Sequence, residues 1–281
     1  MLGRMILERL RCPVCGAALT EVDPGTLRCG AGHAFDLARQ GYANLLTGRA
    51  PAGADTAEMV AARADLLAAG HLDVITAAVV ERAAALATGT DGLVVDVGGG
   101  TGHHLAAVLV ALPDHHGVAL DVAKAAARRA ARAHPRAAAV VCDVWRGLPL
   151  ADGCADLVLD IFAPRNGAEF HRVLRPDGAL LVVTPHHDHL AELVGPLGLL
   201  QVDPAKADRL DRSLGGHFVR SEQRTYEETV ALSRADAARL ILMGPNAWHA
   251  DPAGLAERLA AWPEPVAATV SVNLGTYRPR R

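Results

Sequence analysis

The chain has 281 residues, a formal net charge of −3 and 51% hydrophobic content, room for one large domain or an ordinary domain with a small module. About a fifth of it is alanine and only 4% is aromatic; Lys124 and Lys206 are its two lysines, so 26 of the 28 cations are arginine. This balance excludes an obligatory polycation, and any nucleic-acid-binding surface must be local. No apolar run approaches the ~20 residues of a membrane span, and the stretch before the first cysteines is too short for a signal peptide. The expectation is a cytoplasmic protein with no membrane partner.

In chain order, residues 1–36 stand apart as a small module. They hold Cys12, Cys15 and Cys29 among turn formers, and residues 1–50 carry six Arg against four Asp/Glu. The remaining 231 residues carry 22 cations against 27 acids. Cys12-x2-Cys15, thirteen residues, then Cys29-x3-His33 is the spacing of two ligand pairs on tight turns that converge on one tetrahedral zinc. A redox CxxC pair needs neither Cys29 nor His33 and normally opens a helix after a strand. Four protein ligands leave no open position, so the zinc is expected to be structural, its binding energy largely the folding energy of the module. Cys142 and Cys154 read as core residues.

Residues 37–92 read as a helical connector, with a linker at 48–54 and helices near 55–67 and 72–86. From residue 93 to 281 strands and helices alternate. The apolar runs 93–97, 117–121, 138–142, 155–162 and 179–185 predict buried parallel strands. Helices are expected near 123–133, 169–174, 235–243 and 253–261, and closing strands near 225–232 and 267–277. The pattern predicts a doubly wound α/β sheet.

The first strand of this region runs into Asp96-Val97-Gly98-Gly99-Gly100-Thr101-Gly102. A dinucleotide fingerprint needs glycine where His103 stands. The D-x-G-x-G-x-G present matches motif I of class I (Rossmann-like) S-adenosylmethionine methyltransferases. Asp121 ends the next strand, where an acid can bind ribose hydroxyls. Asp143 follows the third strand, beside the expected adenine. The fourth strand ends Asp160-Ile161-Phe162-Ala163-Pro164-Arg165 rather than in the [DN]-P-P-[YF] of exocyclic-amine methylases. Ring nitrogen, carbon and oxygen targets stay open.

With these motifs in one order, the chain resembles the RlmA-type 23S rRNA guanine-N1 methyltransferases. The shared segments are CPVCG…CGAGHAFDLARQGYANLL, DTAEMVAARADLLAAGHL, VVDVGGGTGHHL, FAPRN, RVLRPDG and TPHHDHL, and they cover nearly the whole chain. Within the family it is most similar to the actinobacterial tylosin-resistance branch. The resemblance implies guanine N1 methylation in hairpin 35 of 23S rRNA, at guanosine 748 rather than 745, by a homodimer whose RNA-binding cleft includes the zinc modules. Carried over by position, it implies Cys12, Cys15, Cys29 and His33 on zinc, and Gly100, Thr101 and His189 on the cofactor. Leu72 stands where the family's cofactor-contacting tyrosine belongs.

Guanine N1 carries a proton that must leave, so a base or a group on O6 would help. Asp160 is the expected base, Arg165 an O6 or phosphate partner, and His186 and His187 near-site candidates. RNA contact is expected from Arg4, Arg9, Arg11 and Arg28, and from Arg128, Arg129, Arg132 and Arg136, of which 128, 132 and 136 share a helical face by spacing. The alternatives are a small-molecule methyltransferase of an antibiotic pathway, which needs no zinc module, and a zinc-dependent RNA-binding protein without chemistry, which needs no cofactor carboxylates.

Overall fold

A computed structural model describes residues 3–51, 53–200, 212–248 and 251–280. Of the expected linker 48–54, residue 52 lies outside the described residues. The chain opens with a single helical turn, α1 (Arg4–Leu7), and a three-stranded antiparallel sheet of β1 (Leu19–Asp23), β2 (Thr26–Cys29) and β3 (Ala34–Asp36). A two-residue strand, β4 (Ala43–Asn44), then leads to helices α2 (Ala57–Ala68) and α3 (Asp73–Leu86). Thr56 caps α2 by accepting the Met59 N–H, which fixes where the expected helix starts.

The alternating region follows as β5 (Leu93–Val97), α4 (His103–Ala111), β6 (His116–Asp121), α5 (Lys124–Ala130), β7 (Ala137–Val141), a 3-10 turn (Val144–Arg146), β8 (Ala155–Ile161), α6 (Gly167–Val173) and β9 (Leu174–Pro185). It closes with α7 (Ala191–Leu197), β10 (Phe218–Leu232), α8 (Arg234–Leu242), α9 (Pro252–Ala260) and β11 (Val266–Pro279). Eight strands form one sheet in the order β10-β11-β9-β8-β5-β6-β7-β4. β11 runs antiparallel to the other seven strands. The central strand β5 is buried at every residue, as a strand covered on both faces must be.

Two cores flank the sheet. On one face Val94, Ala119 and Leu157 meet α3, α4 and the helices of the C-terminal third. On the other, Leu93, Val95 and Val118 meet Phe170 of α6 together with Ile6, Leu10, Leu19 and Leu27 from the N-terminal segment. The small antiparallel sheet therefore packs where another helix would otherwise cover the main sheet. The Arg11 N–H donates to the Pro149 carbonyl and the Ala151 N–H to the Arg9 carbonyl, both at 2.9 Å. The boundaries expected at 36 and 92 thus separate segments that share cores, and β4 from the connector pairs with β7.

Helix α5 is shorter than expected. It ends at Ala130, and the chain then turns toward Pro135, which disfavours helix in the residue before it. The shared face of residues 128, 132 and 136 does not form. Arg136 instead turns inward and donates to the carbonyls of Leu109, Leu112 and His115, satisfying groups left over at the end of α4.

Candidate functional site

Cys12 and Cys15 occupy one turn, closed by the Gly16 N–H on the Cys12 carbonyl at 2.8 Å. Cys29 and His33 occupy the other, closed by the Gly32 N–H on the Cys29 carbonyl at 2.9 Å. Gly16 and Gly32 adopt φ of 72° and 87°, which glycine takes without strain. The four donor atoms all lie within 4.8 Å of one another. Sγ of Cys15 and Cys29 are 3.7 Å apart, and Nδ1 of His33 is 3.6 Å from Cys12 Sγ and 3.4 Å from Cys29 Sγ. With Zn–S near 2.3 Å and Zn–N near 2.0 Å, the edges of a tetrahedron are about 3.8 Å between sulfurs and about 3.5 Å from sulfur to nitrogen. The observed set fits one Zn2+ without rearrangement.

The second cluster lies at the carboxyl ends of the parallel strands, around a cavity of about 860 Å3. Asp96, Gly98, Gly99, Gly100 and Thr101 line it, with Asp121, Asp143, Leu72 and His189. Eight of the nine residues expected at the cofactor are therefore brought together. The ninth, Gly102, sits behind the loop with φ +76°, where a Cβ would lie 3.0 Å from both the Ala130 Cα and the Ala133 Cβ. It lets the loop pack closely. Gly98 (φ +65°) approaches the β8 side so closely that a Cβ would meet the Ala163 Cβ at 2.6 Å.

The carboxylates differ in their surroundings. Asp121 accepts the Gly100 N–H at 2.9 Å on one oxygen and the Ala123 N–H at 2.8 Å on the other. Burial raises its pKa, and those two N–H groups oppose the rise. Asp96 lines the cavity and is almost fully buried, and burial, helped by Asp121, pushes it up to about 8. Asp143 caps the 3-10 turn by accepting the Trp145 N–H at 3.0 Å. His189 accepts the Ser271 N–H on Nδ1 at 3.2 Å, so its neutral ring carries the proton on Nε2. Leu72 is buried beside Met59, Leu67 and Ile75, an apolar wall with no hydroxyl.

Asp160 and Arg165, expected as base and O6 partner, lie apart from the cavity. Neither lines the cavity; Asp160 is 0% exposed, and Arg165 Nε stands 3.1 Å from its Oδ1. That contact has ion-pair distance but poor hydrogen-bond alignment, and both carboxylate oxygens lack an aligned donor. Burial pushes Asp160 up to about 8, against the pull of Arg165 and with help from Asp96. With no exposed surface, the Asp160 carboxyl does not open onto the cavity. His186 and His187 lie beside Asp188, also outside the lining.

Sequence reasoning missed Arg63 and His104. Arg63 ion-pairs with Asp55 at 2.5 Å, donates to the Met243 carbonyl, and its guanidinium would lie 3.6 Å from a Cβ on Gly100. His104 pairs with the Thr76 hydroxyl at 3.0 Å, and burial, with His103 and Arg63 nearby, lowers its pKa to about 3. The segment DTAEMVAAR signals a capped helix, but only the tertiary contacts reveal which residue faces the glycine loop. A second cleft, of about 670 Å3, runs between the zinc-ligand turn at Cys12 and the segment 146–152. The 3-10 turn separates the two: Trp145 lines the large cavity and Arg146 the cleft.

Residues 10–49 match the family model described as the N-terminal domain of RlmA, a zinc ribbon, and residues 94–178 match a methyltransferase domain. A Streptomyces fradiae protein named 23S rRNA (guanine(748)-N(1))-methyltransferase is 50% identical, covering 98% of both chains. A Micromonospora griseorubida protein named "Putative 23S rRNA (guanine-N(1)-)-methyltransferase" is 56% identical over 98% of both. The chain belongs to the 23S rRNA (guanine-N1)-methyltransferase family. A Bacillus subtilis protein of the same description is 33% identical over 87% of this chain and 78% of its own. The fold is accordingly that of a class I methyltransferase with a zinc ribbon at its N-terminal end. Its groups are S-adenosylmethionine and structural zinc. Among the described residues no helix is long and apolar enough to cross a membrane.

Proposed function

We propose that this protein methylates N1 of guanosine 748 in hairpin 35 of 23S rRNA. The observation that carries this reading is the 50% identity, over 98% of both chains, with the relative named for that guanine. A zinc ribbon docked against the methyltransferase sheet supports a macromolecular substrate over a small one. We further assign the protein to the cytoplasm and to a homodimer, and read its product as a source of tylosin-type macrolide resistance.

S-adenosylmethionine supplies a methyl group on a sulfonium, an electrophile needing an in-line nucleophile. The chain's own residues hold and orient. Asp121 keeps lone pairs for ribose hydroxyls while its two backbone N–H bonds fix the carboxylate. Asp143 and the neighbouring backbone flank the adenine side. Gly98, Gly100 and Thr101 form the wall that a nucleoside can approach, and Gly102 lets that wall pack. Asp96 provides negative charge for the cofactor's ammonium. His189 donates from Nε2, and Leu72 contributes apolar contact only. The wall of Met59, Leu67, Leu72 and Ile75 excludes water from the reacting end.

Asp160 and Arg165 act as positioning residues beneath the Ile161–Pro164 loop. Phosphate contact falls to the ribbon side of the molecule. Arg28 is exposed on β2, and Arg11 and Arg146 line the cleft beside the ribbon. Arg4 is paired with Glu8 and Arg9 with the Met5 carbonyl, as Arg11 is with the Glu8 and Leu10 carbonyls and Arg146 with Asp143 and the Thr47 carbonyl. The test is incubation with S-adenosylmethionine and a 23S rRNA transcript, followed by primer extension, which stops at an N1-methylated guanine. A stop at guanosine 748 is expected. A stop at another guanine corrects the position, and absence of any stop in hairpin 35 overturns the reading.

A further inference from the structure

The chain has ten aromatic residues, counted as three Trp, three Tyr and four Phe. Among the described residues three of them, Trp145, Phe162 and Trp248, are large hydrophobics left exposed, at 65%, 44% and 49%. All three line the cavity of about 860 Å3. An aromatic ring left in water forgoes burial worth on the order of 2 kcal/mol, so three rings gathered around one opening call for an occupant.

Phe162 differs from the two tryptophans. It holds a left-handed backbone, φ 55°, which is rare for a bulky side chain and costs on the order of 1–3 kcal/mol. The strain is imposed locally. Its neighbour Ala163 abuts Gly98, and beneath the loop lies the buried Asp160–Arg165 pair. The Phe162 N–H is held by the Val183 carbonyl at 3.2 Å. The ring meets the His189 ring at 5.9 Å between centroids, tilted by 36°, while much of its surface stays open. Strand β8, which ends just before it, adjoins β5 and its glycine loop. Trp145 follows β7, three strand spacings or about 14 Å away, on the side of Asp143.

A guanine in a folded RNA cannot present N1 to a cavity while stacked and paired; it must be extruded, and an extruded base is held by stacking on an aromatic plane. We propose that Phe162 is the stacking plane for the extruded target guanine. The inference rests on the reading of the site as a guanine-N1 methyltransferase and adds the residue that holds the acceptor. The left-handed backbone at the end of β8 is what turns the ring outward to the base.

The test uses the full chain, a hairpin 35 RNA, and the same RNA with 2-aminopurine at the target position. Phe162→Ala is expected to raise the KM for RNA about tenfold or more, with S-adenosylmethionine affinity within twofold of the parent. In the parent complex the extruded 2-aminopurine is quenched by the ring; in Phe162→Ala it brightens severalfold. Phe162→Tyr restores both readouts. Phe162→Gly, which suits the left-handed backbone, is expected to melt at the same temperature or higher while losing RNA affinity. Unchanged KM and fluorescence in an active background overturn the proposal. So does a loss of cofactor affinity matching the loss of RNA methylation, which would assign the ring to the cofactor. If the parent enzyme produces no stop in hairpin 35, the functional reading itself fails, and that outcome is seen before any variant is made.

Discussion

The zinc ribbon and the glycine-lined cavity are built from the same parts, polar donors on turns that require glycine, yet they end in opposite states. In the ribbon, four donor atoms gather within 4.8 Å of one another, with three of their separations at 3.4–3.7 Å, close to the edges of a closed tetrahedron. In the cavity, Asp96, Asp121, Asp143 and His189 face about 860 Å3 of space rather than one another. A closed set concentrates its interaction energy on one ion and stabilises the fold. An open set is spent on binding and turnover. The comparison separates residues whose loss should unfold the protein from those whose loss should leave a folded, poor enzyme.

The largest expected effect breaks the closed set. Cys12→Ser or Cys29→Ser, or removal of zinc by a strong chelator, should withdraw on the order of 10 kcal/mol from the ribbon at neutral pH. Because Cys12, Cys29, Leu19 and Leu27 share a core with Leu93 and Val118 of the main sheet, the loss should spread beyond residue 36. Proteolysis that samples both regions, alongside zinc content, measures this. A ribbon that opens while β5 and β6 stay protected would show that the two units are stabilised independently.

The next effect is a pH dependence stored in the open set. In the unfolded chain Asp96 ionises near 3.8; in the folded chain burial raises it to about 8. Between those values the folded state binds more protons than the unfolded one. The stability contribution is therefore complete at low pH and is lost as pH rises toward 8, at up to about 1.4 kcal/mol per unit. Asp96→Asn removes this slope. Urea unfolding of the cofactor-free protein at pH 5 and pH 7 should show the variant gaining on the parent as pH rises. The same linkage predicts proton release when a cationic cofactor binds, read by calorimetry in buffers of different ionisation enthalpy.

A smaller effect separates shape from charge in the same cavity. Gly98→Ala places a Cβ 2.6 Å from the Ala163 Cβ at φ +65°, so the loop must shift. A cost of about 1–3 kcal/mol in stability, with weakened S-adenosylmethionine binding, is expected from thermal melts and titration. Gly16→Ala in the ribbon has the same positive φ but no atom within 4 Å, so its cost should be strain alone.

Much of this was legible in the residues because the signals were local. The buried runs of β5, β6 and β8, the Thr56 cap and the paired ligand spacing each need only a few consecutive residues. What escaped depends on contacts between distant segments. β4 is two residues long and carries no periodicity, so only its pairing with β7 defines it. Arg63 became visible through a carbonyl 180 positions away. The place of Asp160 at a strand end suggests a reacting base, but the strand end does not say whether the side chain faces the cavity or lies under it. The spacing of Arg136 puts it on a helical face, but that helix stops six residues earlier, at Ala130.

The smallest effect concerns Leu72, where the resemblance implies a cofactor-contacting tyrosine. Leu72 is 5% exposed and lines the cavity next to Ile75, at the N-terminal end of α3. Replacing it by tyrosine adds a ring and a hydroxyl directed to the cofactor space, which has volume to receive them. One added hydrogen bond should strengthen S-adenosylmethionine binding about two- to fivefold, or 0.5–1 kcal/mol. Titration calorimetry on Leu72→Tyr measures it, with guanine methylation at saturating cofactor as the control, which should not change. A gain in affinity would mean that the open set has spare capacity at this wall. A loss would mean that the apolar wall has closed around leucine, and that this part of the cavity is packed like the core behind it.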